Sequence, residues 1–143
     1  CINREVKNLF VLNPEFISKY SHLVAPDAGA YKKVNSIASH FNLPVIPALK
    51  TRDTATGRLS NTVVVTEGVE NPTRLLVIDD LCDAGGTFLA LGAKLKQAFP
   101  HTPIDLYVSH GIFAKGLNGL DKYYDSIYCH NLFTPIDGVT TLE

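Results

Sequence analysis

The 143 residues carry 13 basic and 14 acidic side chains, a formal net charge of −1, with 45% hydrophobic and 19% charged residues. That is the composition of one globular domain able to bury its own core; it lacks the basic excess of a nucleic-acid binder, and its longest apolar run is far below the ~18 residues of a membrane-spanning helix. Three cysteines, Cys1, Cys82 and Cys129, form no CxxC pair, which argues against a disulfide framework or a zinc site and for a reducing, cytoplasmic setting.

The opening CINREVKNLF interleaves charges with its few apolar residues, unlike a signal peptide. No methionine occurs anywhere in the chain, so sequence is expected to be missing upstream. The first strand is expected at His22 to Ala25, ended by Pro26. A helix follows from Tyr31 to Phe41, where Val34, Ile37, Ala38 and Phe41 recur at i, i+3, i+4 and i+7; Asn42 and Pro44 stop it. Val45 to Leu49 is a second strand.

Between Lys50 and Asn61 the polar run predicts a loop or a flexible hairpin tip. Strand character resumes at Val63 to Thr66, a turn is expected at Glu67 to Thr73, and Arg74 to Ile78 is a continuous apolar strand, expected at the sheet centre. Phe88, Leu91, Leu95 and Ala98 stripe a helix from Thr87 to Phe99, in which Gly92 is expected to allow close packing against the sheet. Ile104 to Ser109 and Ser126 to Cys129 complete the strands, with a helical piece around Leu117 to Tyr124 and no periodicity after Phe133. The alternation predicts an α/β domain spanning 1–143, with a mainly parallel sheet flanked by helices.

The run VIDDLCDAGGT, Val77 to Thr87, concentrates the chemistry. An apolar strand delivers Asp79 and Asp80 to the carboxyl edge of the sheet, where paired carboxylates can accept from vicinal ribose hydroxyls or help to hold a divalent cation. Asp83, Ala84, Gly85, Gly86 and Thr87 then form a turn whose glycines let backbone N–H groups approach a phosphate, and the following helix points its positive end at the same anion. Each residue taken singly reads as strand end, tight turn or helix N-cap; the uninterrupted combination favours ligand binding. Neither GxxxxGK[ST] nor GxGxxG is present.

VIDDLCDAGGT resembles the phosphoribosyl pyrophosphate loop shared by phosphoribosyltransferases and ribose-phosphate pyrophosphokinases. The resemblance implies a three-layer phosphoribosyltransferase-like fold, with Asp79 and Asp80 on the ribose and Asp83 to Thr87 on its 5-phosphate. Upstream, Asp27, Ala28, Gly29 and Ala30 resemble the pyrophosphate loop of the synthetases, although Ala30 stands where they carry a glycine. There Asp27 would be a ligand of Mg2+; read from the chain alone it is equally a helix N-cap. Lys50 and Arg52 resemble the Lys-x-Arg pair heading the synthetases' catalytic flexible loop, against a plain reading as solvated surface charges.

VSHGIFAKGLNGL resembles a further synthetase segment, with His110 at a strand end but assigned no catalytic role. His22, His40, His101 and His130 lack metal-ligand spacing. The resemblance covers the carboxyl-terminal half of a two-domain synthetase and implies ribose 5-phosphate and ATP as ligands and a homo-oligomeric assembly. Two other readings stand beside it: a phosphoribosyltransferase, for which Phe10, Phe16 and Tyr20 could be remnants of a base-binding hood, and a non-catalytic sensor or associated subunit.

Overall fold

The computed structural model describes residues 10–11, 13–52, 59–82, 86–111, 119–132 and 139–141; at 50–52, 59–61, 80–82, 86–87, 110–111, 130–132 and 141 it describes the backbone alone. In chain order the elements are α1 (Pro14–Ile17), β1 (His22–Ala25), α2 (Ala28–His40), β2 (Val45–Arg52), β3 (Leu59–Val64), β4 (Leu75–Cys82), α3 (Gly86–Ala98), β5 (Ile104–Gly111), a 3-10 turn (Leu120–Lys122), β6 (Ser126–Leu132) and β7 (Val139–Thr141). The seven strands form one sheet in the order β3-β2-β1-β4-β5-β6-β7. β2 and β3 pair antiparallel, and the other neighbours pair parallel.

β4 is the middle strand, as its unbroken apolar run predicts. Its side chains divide by strand alternation: Leu75 and Val77 join one buried cluster with Phe88, Leu91 and Leu95 of α3, while Leu76 and Ile78 join another with Ala30, Val34 and Ile37 of α2. The two helices therefore cover opposite faces of the sheet. No helix among the described residues is long and apolar enough to cross a membrane.

Several boundaries differ from expectation. α2 begins three residues earlier because Asp27 caps it, its side chain accepting from the Ala30 N–H at 2.8 Å. The polar residues after Leu49 continue β2 to Arg52, and Leu59 starts β3, so of the expected loop or hairpin tip, residues 50–52 and 59–61 are antiparallel strand. Its residues 53–58 lie outside the described residues. The expected helical piece from Leu117 shortens to the 3-10 turn at Leu120–Lys122 among the described residues. α1 and the edge strand β7 were not foreseen.

Gly92 packs tightly, but against the chain after β5 rather than the sheet. A Cβ there would lie 2.7 Å from Tyr123 Cβ and 3.2 Å from Tyr124 Cε2. Tyr124 is 2% exposed and its hydroxyl donates to the Phe88 carbonyl at 2.6 Å, so it has little room to retreat. Gly92→Ala is thus expected to destabilise by about 1–3 kcal/mol through overpacking, despite alanine's better helix propensity. Urea unfolding checks this; a variant as stable as the wild type would contradict it.

At the amino ends of the strands sits a buried polar knot. Asp105 is fully buried; its carboxylate accepts from Arg74 Nε at 3.0 Å and Nη2 at 2.9 Å, from the Tyr20 hydroxyl at 2.6 Å and from the Ser126 N–H at 3.1 Å. Burial, then the bond to Asp105, drives the Tyr20 pKa far above its ordinary value and keeps it a donor. Hydrogen bonding to Asp105 likewise raises that of Arg74.

Candidate functional site

Connections from β1 and β4 run in opposite directions across the sheet. β1 leads through α2 to its neighbour β2, whereas β4 leads through α3 to β5 on the other side. Strands β1 and β4 are themselves adjacent and parallel. This is a topological switch point, and in open α/β sheets the crevice outside the carboxyl ends of such strands is where ligands bind.

Three predicted segments converge on that edge. Asp27 follows β1 after Pro26, Asp79 and Asp80 occupy the carboxyl half of β4, and Lys50 and Arg52 lie at the carboxyl end of β2, next to β1. The helices α2 and α3 both begin there, at Ala28 and Gly86, so two positive helix ends face the same crevice from opposite faces of the sheet.

The acidic pair does not end its strand, as the sequence implied. β4 continues to Cys82 along β5, with Asp79 opposite Val108 and Leu81 opposite His110. Against β1, pairing stops at Val24 and Val77. Asp79 and Asp80 are therefore paired along β5 on one side while their backbone stands beyond the last β1 partner on the other. Asp79 is half-buried. Asp83, Ala84 and Gly85 lie outside the described residues; Gly86 and Thr87 form the first turn of α3.

In the second loop, Asp27 realises the helix-cap reading. Gly29 has a local reason: a Cβ there would come within 3.3 Å of Asp27 Oδ1. Ala30, the departure from the synthetase pattern, is buried in the α2-side cluster and its N–H is engaged by Asp27. Its methyl is core packing.

Lys50 and Arg52 belong to β2 rather than to a loop, with backbone partners Thr62 and Leu59. The register shifts between Thr51 and Arg52, the mark of a bulge, a device that re-aims side chains at sheet edges and near active sites. His22 Nδ1 lies 2.8 Å from Ser21 Oγ, and burial lowers its pKa; His40 stacks edge-on with Phe41.

Phe10, Phe16 and Tyr20 are buried, with Phe10 edge-on to Tyr107 at 5.3 Å and Phe16 edge-on to Tyr128 at 4.8 Å. All three belong to the α2-side core. A cavity of about 630 Å³ is lined among the described residues by Asn13, Glu15, Phe16, Lys19 and Tyr128, with Pro14, none of them in the segments named above. Among the described residues, no three His, Cys, Asp or Glu side chains gather as a metal cluster. A cation held by one or two carboxylates and its ligand's own phosphates needs no such cluster, and Asp27, at the carboxyl edge of the sheet, is a carboxylate of the kind that mode uses.

No protein-family model matches the chain. Among solved structures it resembles the adenine phosphoribosyltransferase of Trypanosoma brucei in complex with AMP, pyrophosphate and ribose-5-phosphate, at TM-score 0.67 and 22% identity over 98% of this chain and 63% of that one. It also resembles the phosphoribosylpyrophosphate synthetase of Mycobacterium smegmatis, at TM-score 0.67 and 17% identity over 94% of this chain and 45% of that one. The fold is thus phosphoribosyltransferase-like, a mainly parallel seven-stranded sheet between helices.

Within that class, the relatives in sequence are ribose-phosphate pyrophosphokinases. That of Mycoplasma genitalium is 32% identical over 91 residues, covering 64% of this chain and 26% of the relative. That of Mycoplasmopsis pulmonis is 28% identical over 117 residues, covering 80% of this chain and 36% of the relative. The chain accordingly spans about a third, or less, of the length of these curated relatives.

Proposed function

We propose that this chain is the carboxyl-terminal catalytic domain of a ribose-phosphate pyrophosphokinase. The observation that supports the reading is the convergence at the switch point of Asp27, after β1, and of Asp79 and Asp80 in the carboxyl half of β4, with the Lys50 and Arg52 strand end one strand over. The likeness in sequence to ribose-phosphate pyrophosphokinases supports it.

In this reading Asp79 and Asp80 accept hydrogen bonds from the ribose hydroxyls. Asp83, Ala84, Gly85, Gly86 and Thr87 hold the 5-phosphate with backbone N–H groups, a hydroxyl and the positive end of α3, so a chain of net charge −1 needs no basic cluster for it. The residues Asp27 to Ala30 present the amino end of α2 to the pyrophosphoryl group. The 1-hydroxyl of ribose 5-phosphate attacks the β-phosphorus of ATP, and AMP departs. Lys50 and Arg52 neutralise charge that builds on the transferring oxygens.

Magnesium, when bound near Asp27, supplies a counter-charge for the phosphates. A cytoplasmic setting and a homo-oligomeric assembly belong to the same proposal. The test is to mix the full-length protein with ribose 5-phosphate and Mg-ATP and follow AMP; formation dependent on both substrates is expected, and none would overturn the assignment.

A further inference from the structure

Two features meet on the first turns of α3. Gly92 leaves room for the chain that follows β5, since Tyr123 Cβ lies 2.7 Å and Tyr124 Cε2 3.2 Å from where a Cβ at Gly92 would stand. From there the Tyr124 ring runs toward the start of the helix, where its hydroxyl donates to the Phe88 carbonyl at 2.6 Å. The backbone of this segment is itself anchored: the Tyr124 N–H donates to the Leu120 carbonyl at 3.0 Å, and the Asp125 N–H to the Ile104 carbonyl at 2.7 Å. A tyrosine fixed to β5 and the 3-10 turn thus grips the third residue of α3.

The helix does not need this bond to satisfy its own backbone. Within α3 the Phe88 carbonyl has the Gly92 N–H as its ladder partner. A phenylalanine at position 124, which is 2% exposed, would fill the same space in the α3-side cluster without burying a polar atom. A glycine inside a helix is likewise unfavourable. Both local departures have one consequence, a fixed first turn of α3, and departures of this kind gather at functional sites. The first N–H groups of a helix have no carbonyl partner within it and are where an anion binds; in α3 they belong to Gly86, Thr87 and Phe88.

We infer that Tyr124 is a positioning residue for the phosphate end of the sugar site: its hydroxyl holds Phe88, and with it the N–H groups of the first turn of α3, in one fixed position for the 5-phosphate. The inference rests on the ribose-phosphate reading of Asp79 to Thr87. Tyr124 acts through the helix backbone and not on the ligand directly.

Tyr124→Phe in the full-length protein tests it, because it removes the hydroxyl and leaves the ring. Tyr20→Phe is the control: it removes another buried tyrosine hydroxyl bonded at 2.6 Å, to Asp105 at the amino ends of the strands. Each variant loses the stability of one hydrogen bond. Assayed well below the melting temperature of both, Tyr124→Phe alone is expected to raise the KM for ribose 5-phosphate, and the calorimetric Kd, about threefold to tenfold, with kcat and the KM for Mg-ATP within about twofold of the wild type. An equal rise in Tyr20→Phe, or a loss spread evenly over kcat and both KM values, would overturn the inference and leave the hydroxyl a packing bond. If the wild type binds ribose 5-phosphate and Tyr124→Phe binds it as well, this inference alone fails; if the wild type does not bind, the ribose-phosphate reading fails and takes the inference with it.

Discussion

Replacing Lys50 by alanine in the full-length protein is expected to lower the rate of AMP formation by about 10²–10³-fold, the usual cost of removing one group that stabilises transition-state charge. Ribose 5-phosphate affinity should change little. The two effects separate because the sugar is assigned to β4 and the loop after it, whereas Lys50 lies two strands away on β2, separated by β1. In a pyrophosphoryl transfer the protein mainly positions the reactants and offsets charge on the phosphoryl oxygens, so a cation acting there affects turnover first. Arg52 stands two residues on in the same strand, across a register shift from Thr51. Its alanine variant should show the same pattern, and the double variant should lose less than the product of the two single effects, since both cations serve one group. Single-turnover kinetics with ribose 5-phosphate titration measures both quantities. A Lys50→Ala enzyme with wild-type turnover would return this lysine to the solvated surface.

The second large effect concerns stability. Arg74→Ala is expected to destabilise the fold by about 3–5 kcal/mol, because it strips the cationic partner from a charge that cannot reach water. Asp105 is fully buried, and without Arg74 it would keep the Tyr20 hydroxyl and the Ser126 N–H but no countercharge. Against a total stability of about 5–15 kcal/mol for an ordinary domain, this approaches unfolding. Asp105→Ala should be severe but milder: Arg74, 27% exposed, can turn toward solvent, leaving the Tyr20 hydroxyl as the principal orphan. Urea denaturation of both variants checks the order as well as the size. Equal stability of Arg74→Ala and wild type would show that the knot contributes no net stability. The effect on ligand binding should be indirect, since the knot sits at the amino ends of the strands and the crevice at their carboxyl ends.

How much of this was legible beforehand depends on the range of the interaction concerned. β1 is found at His22–Ala25, where four residues end at a proline, and β4 is central as its unbroken apolar run implied. Both are local properties of the chain. The hairpin's strands run further than the expected loop or hairpin tip allowed because the pairing of Lys50 with Thr62 and Thr51 with Asn61 is made by backbone groups, which polar side chains at a sheet margin do not announce. β7 has three residues, too few for any period to register. The Arg74–Asp105 pair spans 31 residues and no local pattern announces it.

The site shows the same division. The motif around Asp79 and Asp80 was readable because strand, acidic pair, glycine turn and helix follow one another without interruption. That it lies beside Asp27, and that Lys50 and Arg52 end the next strand over, depends on the order β2-β1-β4. The sequence carries that order only through the long-range packing of its apolar faces.

The most direct test of the central claim is a calorimetric titration of the full-length protein with ribose 5-phosphate, repeated with Asp80→Asn and Thr87→Val. Saturable binding is expected, weakened about tenfold or more by each substitution as one hydrogen bond to the sugar or its phosphate is lost. No binding by the wild type, or unchanged affinity in both variants, would contradict the assignment of Asp79 to Thr87 as the ribose-phosphate site.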